Sequence, residues 1–169
     1  MTVTITWHTG PRRELRPLFE LAEDSVRELD RYLEEGRVLV ATQGRSLVGH
    51  LQLVETADPA DIELKNMAVV PDEQGTGIGR ALVTAALTAS ATEGRARMLV
   101  ATATADIGNL RFYQRLGFRF LAVERDAFTR DSGYPDGIVL DGIPLRDRIW
   151  LSHDLSQLHA LASSPVGDL

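Results

Sequence analysis

Met67-Ala-Val-Val-Pro-Asp-Glu-Gln-Gly-Thr-Gly-Ile-Gly-Arg80 is the stretch on which the reading of this chain turns. A strand-like pattern runs into Pro71. A short loop then carries Gln74, Gly75, Thr76, Gly77, Ile78 and Gly79, and an alanine- and leucine-rich helical pattern follows at once over 79–93. Glycine lets the backbone take positive φ and lets a ligand approach the chain closely. Successive N–H groups in such a loop, with a helix N-terminus behind them, make a cradle for an anion. Arg80 places a positive charge in the first helical turn, against the helix dipole, which suits a site where a bound anion compensates it.

Working outward, alternation predicts a strand over 3–7, broken by Gly10-Pro11. Helical spacing follows over 12–33, with Leu15, Leu18, Phe19, Ala22, Val26, Leu29 and Leu33 on one face. Pro17 and Asp24-Ser25 divide it into two short helices, and Gly36 closes it. Strands over 37–42 and 47–55 form a hairpin, and a third covers 62–70. Beyond the glycine loop and its helix come a buried strand over 98–103 and a helix capped by Asp106 that runs to about Leu116. Gly117 stops that helix, and a strand over 118–123 follows. Residues 126–144, rich in Gly, Pro and Asp, read as a long loop before a last strand over 146–151. The order predicts one mixed α+β domain with a mostly antiparallel sheet flanked by helices. It spans 1–155, with a C-terminal tail over 156–169.

Composition narrows the functional classes. The 169 residues are 44% hydrophobic and 25% charged, the profile of a single globular domain. There is no cysteine, which removes disulfides, zinc–thiolate sites and a cysteine nucleophile. The first residues lack a basic segment followed by an apolar one, and no apolar run approaches the roughly 20 residues of a membrane span. A cytoplasmic protein without membrane contact is the expectation. The net charge of −6 argues against nucleic acid as a partner. None of His8, His50, His153 and His159 is spaced like a metal pair, so no metal is expected. His50, on a central strand, is an alternative base, and Trp7 and Trp150 read as packing residues.

Three phosphate-binding patterns compete for the glycine loop. A Walker loop ends in Gly-Lys-Ser/Thr, and Gly79-Arg80-Ala81 does not. The dinucleotide fingerprint needs two residues between its last glycines and a βαβ context. Gly77-Ile78-Gly79 has one residue there, and hairpin strands precede it. A Gln-x-x-Gly-x-Gly loop for the pyrophosphate of coenzyme A fits 74–79 fully. With that loop, Asn109-Leu-Arg-Phe-Tyr113-Gln-Arg-Leu-Gly117-Phe118 resembles the second signature of the GNAT (Gcn5-related) N-acetyltransferases, at the family's usual separation. The order of elements over 3–155 also matches, and the chain looks closest to small bacterial single-domain members.

The resemblance implies an acetyl-CoA-dependent N-acetyltransferase acting directly on a primary amine of a small molecule or peptide. A homodimer is compatible with it. A catalytically inactive acyl-CoA-binding or sensor module of the same fold is the alternative. It places acetyl-CoA on Gln74, Gly75, Thr76, Gly77, Ile78, Gly79 and Arg80. It further implies that the backbone of Met67, Ala68 and Val69 binds the pantetheine arm as an added strand, with an N–H of Ala68 or Val69 on the thioester carbonyl. Where the family often has a pantetheine-binding asparagine, this chain has Asp106, with Asn109 one turn on. Glu63 stands where family members related to histone acetyltransferases carry their general base, and Tyr113 stands at the position of the general acid. Glu63 and Lys65 share a face by strand alternation, so an exposed ion pair is the competing reading of Glu63. A packed aromatic is the competing reading of Tyr113. Asp126, Asp131, Asp136 and Asp141, on the 126–144 loop, either steer a cationic acceptor or serve turns.

Overall fold

Alternating apolar residues build the strands, and the computed structural model describes residues 2–158. Strand β1 (Val3–Trp7) is followed by a 3₁₀ turn and two short helices, α1 (Arg16–Glu20) and α2 (Val26–Tyr32). Strands β2 (Arg37–Gln43), β3 (Ser46–Glu55) and β4 (Asp61–Val69) come next, then α3 (Ile78–Thr92), β5 (Arg97–Ala103), α4 (Ile107–Arg115) and β6 (Arg119–Glu124). A small hairpin, β7 (Val139–Leu140) with β8 (Ile143–Pro144), lies inside the expected 126–144 loop, and β9 (Arg148–Asp154) follows it. The main sheet has the order β1-β2-β3-β4-β5-β9-β6, and only β4 and β5 run parallel. This is the expected mixed α+β fold with a mostly antiparallel sheet.

Two apolar layers cover the sheet. On β2, Val38 and Val40 join Leu15, Leu18, Phe19, Leu29, Tyr32 and Leu33 beneath α1 and α2. Leu39 and Ala41 point the other way, into the larger core with Leu82, Val83 and Ala86 of α3. Each buried leucine contributes about 1.5–3 kcal/mol relative to exposure. The expected helical face is partly wrong, because Ala22 and Val26 are exposed. Ala22 falls in the break between α1 and α2, and Val26 is the first residue of α2, whose N-cap Ser25 accepts from the Glu28 N–H. Trp7 is also corrected. It is 37% exposed on the outer strand and carries the Arg37 guanidinium over its ring at 4.3 Å. Leu155 is fully buried and Leu158 packs against the larger core, so core contacts continue past 155. His159 and the rest of the expected tail, 159–169, lie outside the described residues. Among the described residues, no helix is long and apolar enough to cross a membrane.

Two irregularities of β4 position the site. Its pairing with β3 matches Gln52 to Asn66 and Leu53 to Leu64, which leaves Lys65 as an extra, bulged residue. Its pairing with β5 stops at Leu64 and Val100, although β4 runs on to Val69 and β5 to Ala103. The two parallel strands therefore splay, and their unpaired edges face each other across a gap in the middle of the sheet.

Candidate active site

The gap opens into a cleft of about 210 Å³. Its floor is Met67 of β4 with Val100, Ala101, Thr102 and Ala103 of β5. Asp106, Asn109 and Tyr113 come from the α4 side, and Glu63 and Lys65 from β4. Its far wall is made by Glu23, Asp24, Glu28 and Tyr32 from the α1–α2 segment. Phe128, Tyr134, Arg148 and Trp150 come from the segment between β6 and the end of β9. Glu63 and Tyr113, separated by fifty positions in the chain, thus line one cavity. Trp150, expected as packing, also lines it.

The glycine loop meets the requirements of an anion cradle. Gly75 and Gly77 have φ of 76° and 93°, in the left-handed region, and a Cβ at either would meet no atom within 4 Å. Gly77 is the N-cap of α3, and that helix start has neither a side-chain cap nor an acidic residue in its first turn. Its leading N–H groups are therefore open to a ligand. Gly79 also allows close packing, since its Cβ position lies 3.4 Å from the Phe112 ring. The Ile78 side chain is buried in the core, so it would offer its backbone to the cradle. Thr76 donates to the Glu73 carbonyl, Gln74 donates to the Val69 carbonyl at 3.1 Å, and Arg80 is exposed.

Asp106 is the N-cap of α4, as expected for a cap, and accepts from the Asn109 N–H at 2.9 Å. Asn109 also donates to the Thr102 hydroxyl at 3.2 Å, tying α4 to the edge of β5. Tyr113 is 5% exposed and edge-packed on Phe112 and Phe118. Burial, and secondarily Asp106, raises its pKa, so it keeps its proton across the physiological range. No side-chain hydrogen bond among the described residues engages its hydroxyl.

The Glu63 side chain keeps 16% of its accessible surface, and its carboxylate sits 3.6 Å from the Lys65 ammonium. Burial raises its pKa, and the nearby charge of Lys65 pulls it partly back. The ion pair exists, but inside the cleft rather than on open surface. His50 is corrected as an alternative base. It is fully buried, stacks on Phe19 at 4.2 Å and contacts Asn66 at 2.7 Å. Burial brings its pKa down to about 4, and it does not line the cleft.

The 126–144 loop holds its aspartates away from the cleft. Asp136 pairs with Arg130, and Asp126 and Asp141 sit in turns with positive φ. The Asp131 carbonyl accepts from Arg27. The acidic residues that do line the cavity besides Glu63 and Asp106 are Glu23, Asp24 and Glu28, which the sequence reading missed. Helical periodicity treats them as the solvent side of α1 and α2. No local signal shows that the loop folds over them.

A family model for the acetyltransferase (GNAT) domain matches residues 34–120. The chain is 35% identical over 142 residues to an uncharacterized N-acetyltransferase, YvbK, of Bacillus subtilis, covering 84% of this chain and 90% of that protein. A Bacillus subtilis acetyltransferase solved in complex with CoA superposes with a TM-score of 0.82 at 33% identity, over 90% of this chain and 99% of that one. A GNAT family acetyltransferase from Elizabethkingia anophelis, solved with acetyl-CoA bound, also gives a TM-score of 0.82, at 29% identity over 90% and 97% of the two chains. With the splayed strands and the open glycine loop at the start of α3, these matches show that the chain belongs to the GNAT family and is an acetyl-CoA-dependent N-acetyltransferase.

Proposed function

We propose that the enzyme moves the acetyl group directly onto a primary amine, with Glu63 as base and Tyr113 as acid. The observation that carries this reading is the opening of both side chains into the one cleft at the β4–β5 split. Bound acetyl-CoA supplies an activated thioester, whose carbonyl carbon gains the acceptor nitrogen and loses the CoA thiolate, giving an amide and free thiol. The glycine cradle, Gln74 through Arg80, holds the pyrophosphate. The free edge of β4 at Met67, Ala68 and Val69 pairs with the pantetheine amides, while Asp106 and Asn109 border it on the α4 side. An N–H of Ala68 or Val69 donates to the carbonyl oxygen as negative charge develops there.

Proton traffic follows from the two environments. The amine must arrive uncharged, and Glu63, whose ionised form the nearby Lys65 favours, removes its proton directly or through one water. Tyr113, whose phenol stays protonated, donates to the departing sulfur. Direct transfer fits a chain with no cysteine. The test is release of free CoA from acetyl-CoA over a panel of primary amines, with the amide identified by mass. Amine-dependent release is expected. Stabilisation by acetyl-CoA without turnover of any amine would instead make this a sensor module of the same fold.

A further inference from the structure

Glu23 is the residue of the cleft that this chemistry leaves unused. It is half-buried and held by two hydrogen bonds. Its Oε1 accepts from the Ser25 N–H at 3.0 Å and its Oε2 from the Tyr32 hydroxyl at 3.0 Å. The Tyr134 phenol, reaching across from the 126–144 loop, loses acidity through burial and through the adjacent Glu23 carboxylate. Gly133 makes this approach feasible. It has φ of 94°, and a Cβ there would lie 2.6 Å from the Ser25 hydroxyl.

Behind Tyr32 runs a buried hydrogen-bond chain with one direction. The Asn66 amide nitrogen faces the Phe19 carbonyl and the Tyr32 oxygen, so the Asn66 oxygen faces His50. His50 is neutral and therefore donates through Nε2–H. Asn66 donates to Tyr32 at 2.9 Å, and Tyr32 donates to Glu23. Every donor in the chain points toward the Glu23 carboxylate, which fixes it as the terminal acceptor.

That carboxylate has no salt-bridge partner among the described residues. Glu63 is paired with Lys65, Glu28 with Arg31, and Arg148 with Glu124. The Lys65 ammonium, 5.1 Å over the Tyr32 ring, lies between Glu63 and the Tyr32–Glu23 pair. Asp24 adds a second carboxylate to the same wall.

We infer that Glu23 binds a cationic group of the acceptor other than the reacting amine, which makes the acceptor a diamine or longer polycation. This rests on the acetyl transfer proposed above. One nitrogen, uncharged, reacts beside Glu63, and a second, protonated, sits on Glu23. Tyr32 is a positioning residue that orients the carboxylate.

The experiment measures steady-state CoA release by the intact enzyme with butylamine, putrescine, cadaverine and spermidine as acceptors. At least one polycation should exceed butylamine in kcat/KM by about tenfold or more, as expected for a charge-assisted hydrogen bond. Glu23→Gln should raise KM for that polycation about 10–100-fold while leaving its kcat, the butylamine KM and the acetyl-CoA KM unchanged. Tyr32→Phe should raise the same KM less, again without moving kcat. Asp131→Asn and Asp136→Asn should leave it alone. Butylamine as good as every polycation, or a Glu23→Gln enzyme with wild-type KM, overturns the assignment and leaves the acetyl-transfer reading standing. Acetylation of none of the four, with another monoamine turned over, also removes Glu23 alone. Turnover of no amine at all removes both.

Discussion

The two halves of the proposed site are built by opposite means. The proposed coenzyme half is mostly backbone, drawn from the continuous run Met67 to Arg80, with Gly75 and Gly77 in the left-handed region at the start of α3. The proposed acceptor half is side chains brought from four separate stretches: Glu23–Tyr32, Glu63–Asn66, Phe128–Tyr134 and Arg148–Trp150. A backbone cradle is indifferent to the identity of most neighbouring side chains, whereas a side-chain wall can change its charge with one substitution. One fold can therefore keep a single acetyl donor while its acceptors vary.

The strongest test of the contrast is at Gly77. A glutamate there brings a side chain and a negative charge to the cradle, so Gly77→Glu should abolish binding of acetyl-CoA. For the wild type, ligand at a hundred times its Kd should add about 2.7 kcal/mol of apparent stability in a thermal shift. Because φ is 93°, the substitution also carries about 1–2 kcal/mol of backbone strain, which leaves a folded but less stable protein. Gly77→Asn separates the effects, since asparagine tolerates this conformation. A folded Gly77→Glu protein that still gains stability from acetyl-CoA would move the coenzyme elsewhere.

The next effect is on chemistry alone. Tyr113→Phe keeps the buried ring and its contacts with Phe112 and Phe118 but deletes the hydroxyl. Acetyl-CoA affinity should hold while single-turnover transfer slows by about 10²–10⁴-fold. Unchanged single-turnover rates would return Tyr113 to packing.

The finest distinction concerns the pH profile. As a base, Glu63 works only when ionised, so kcat/KM should fall as pH drops through its raised pKa. Lys65 favours the ionised form, so Lys65→Met should move that acid limb to higher pH. Glu63→Gln should remove the limb and lower the plateau. A limb that survives Glu63→Gln belongs to another group, and His50, with its pKa near 4 and no access to the cleft, is poorly suited to be that group.

Legibility in the sequence followed the same division. The strand–loop–helix around Gly75 to Gly79 was readable because proline, glycine and helical periodicity are local signals. Asp106 was readable as a cap for the same reason, and the structure shows it accepting from Asn109. The 126–144 loop was read for its charge, but its contribution to the cleft is uncharged. Phe128, Tyr134 and Leu140 line the cavity while its aspartates lie elsewhere. Charge counts say how much charge a segment carries and nothing about which way it faces.

The amino-acid order by itself determined the alternation of strands and helices, the open anion cradle and the presence of a carboxylate and a phenol at signature positions. These depend on φ preferences and side-chain period, which act over a few residues. The tertiary structure alone decided the bulge at Lys65, which turns Asn66 toward Tyr32 and sends Met67 to the α3 side. It alone decided the splaying of β4 from β5, and the insertion of β9 between β5 and β6. It also set the one-way chain from His50 to Glu23. Each of these joins residues far apart in sequence, and their energies appear only when packing brings the partners into contact and excludes water between them.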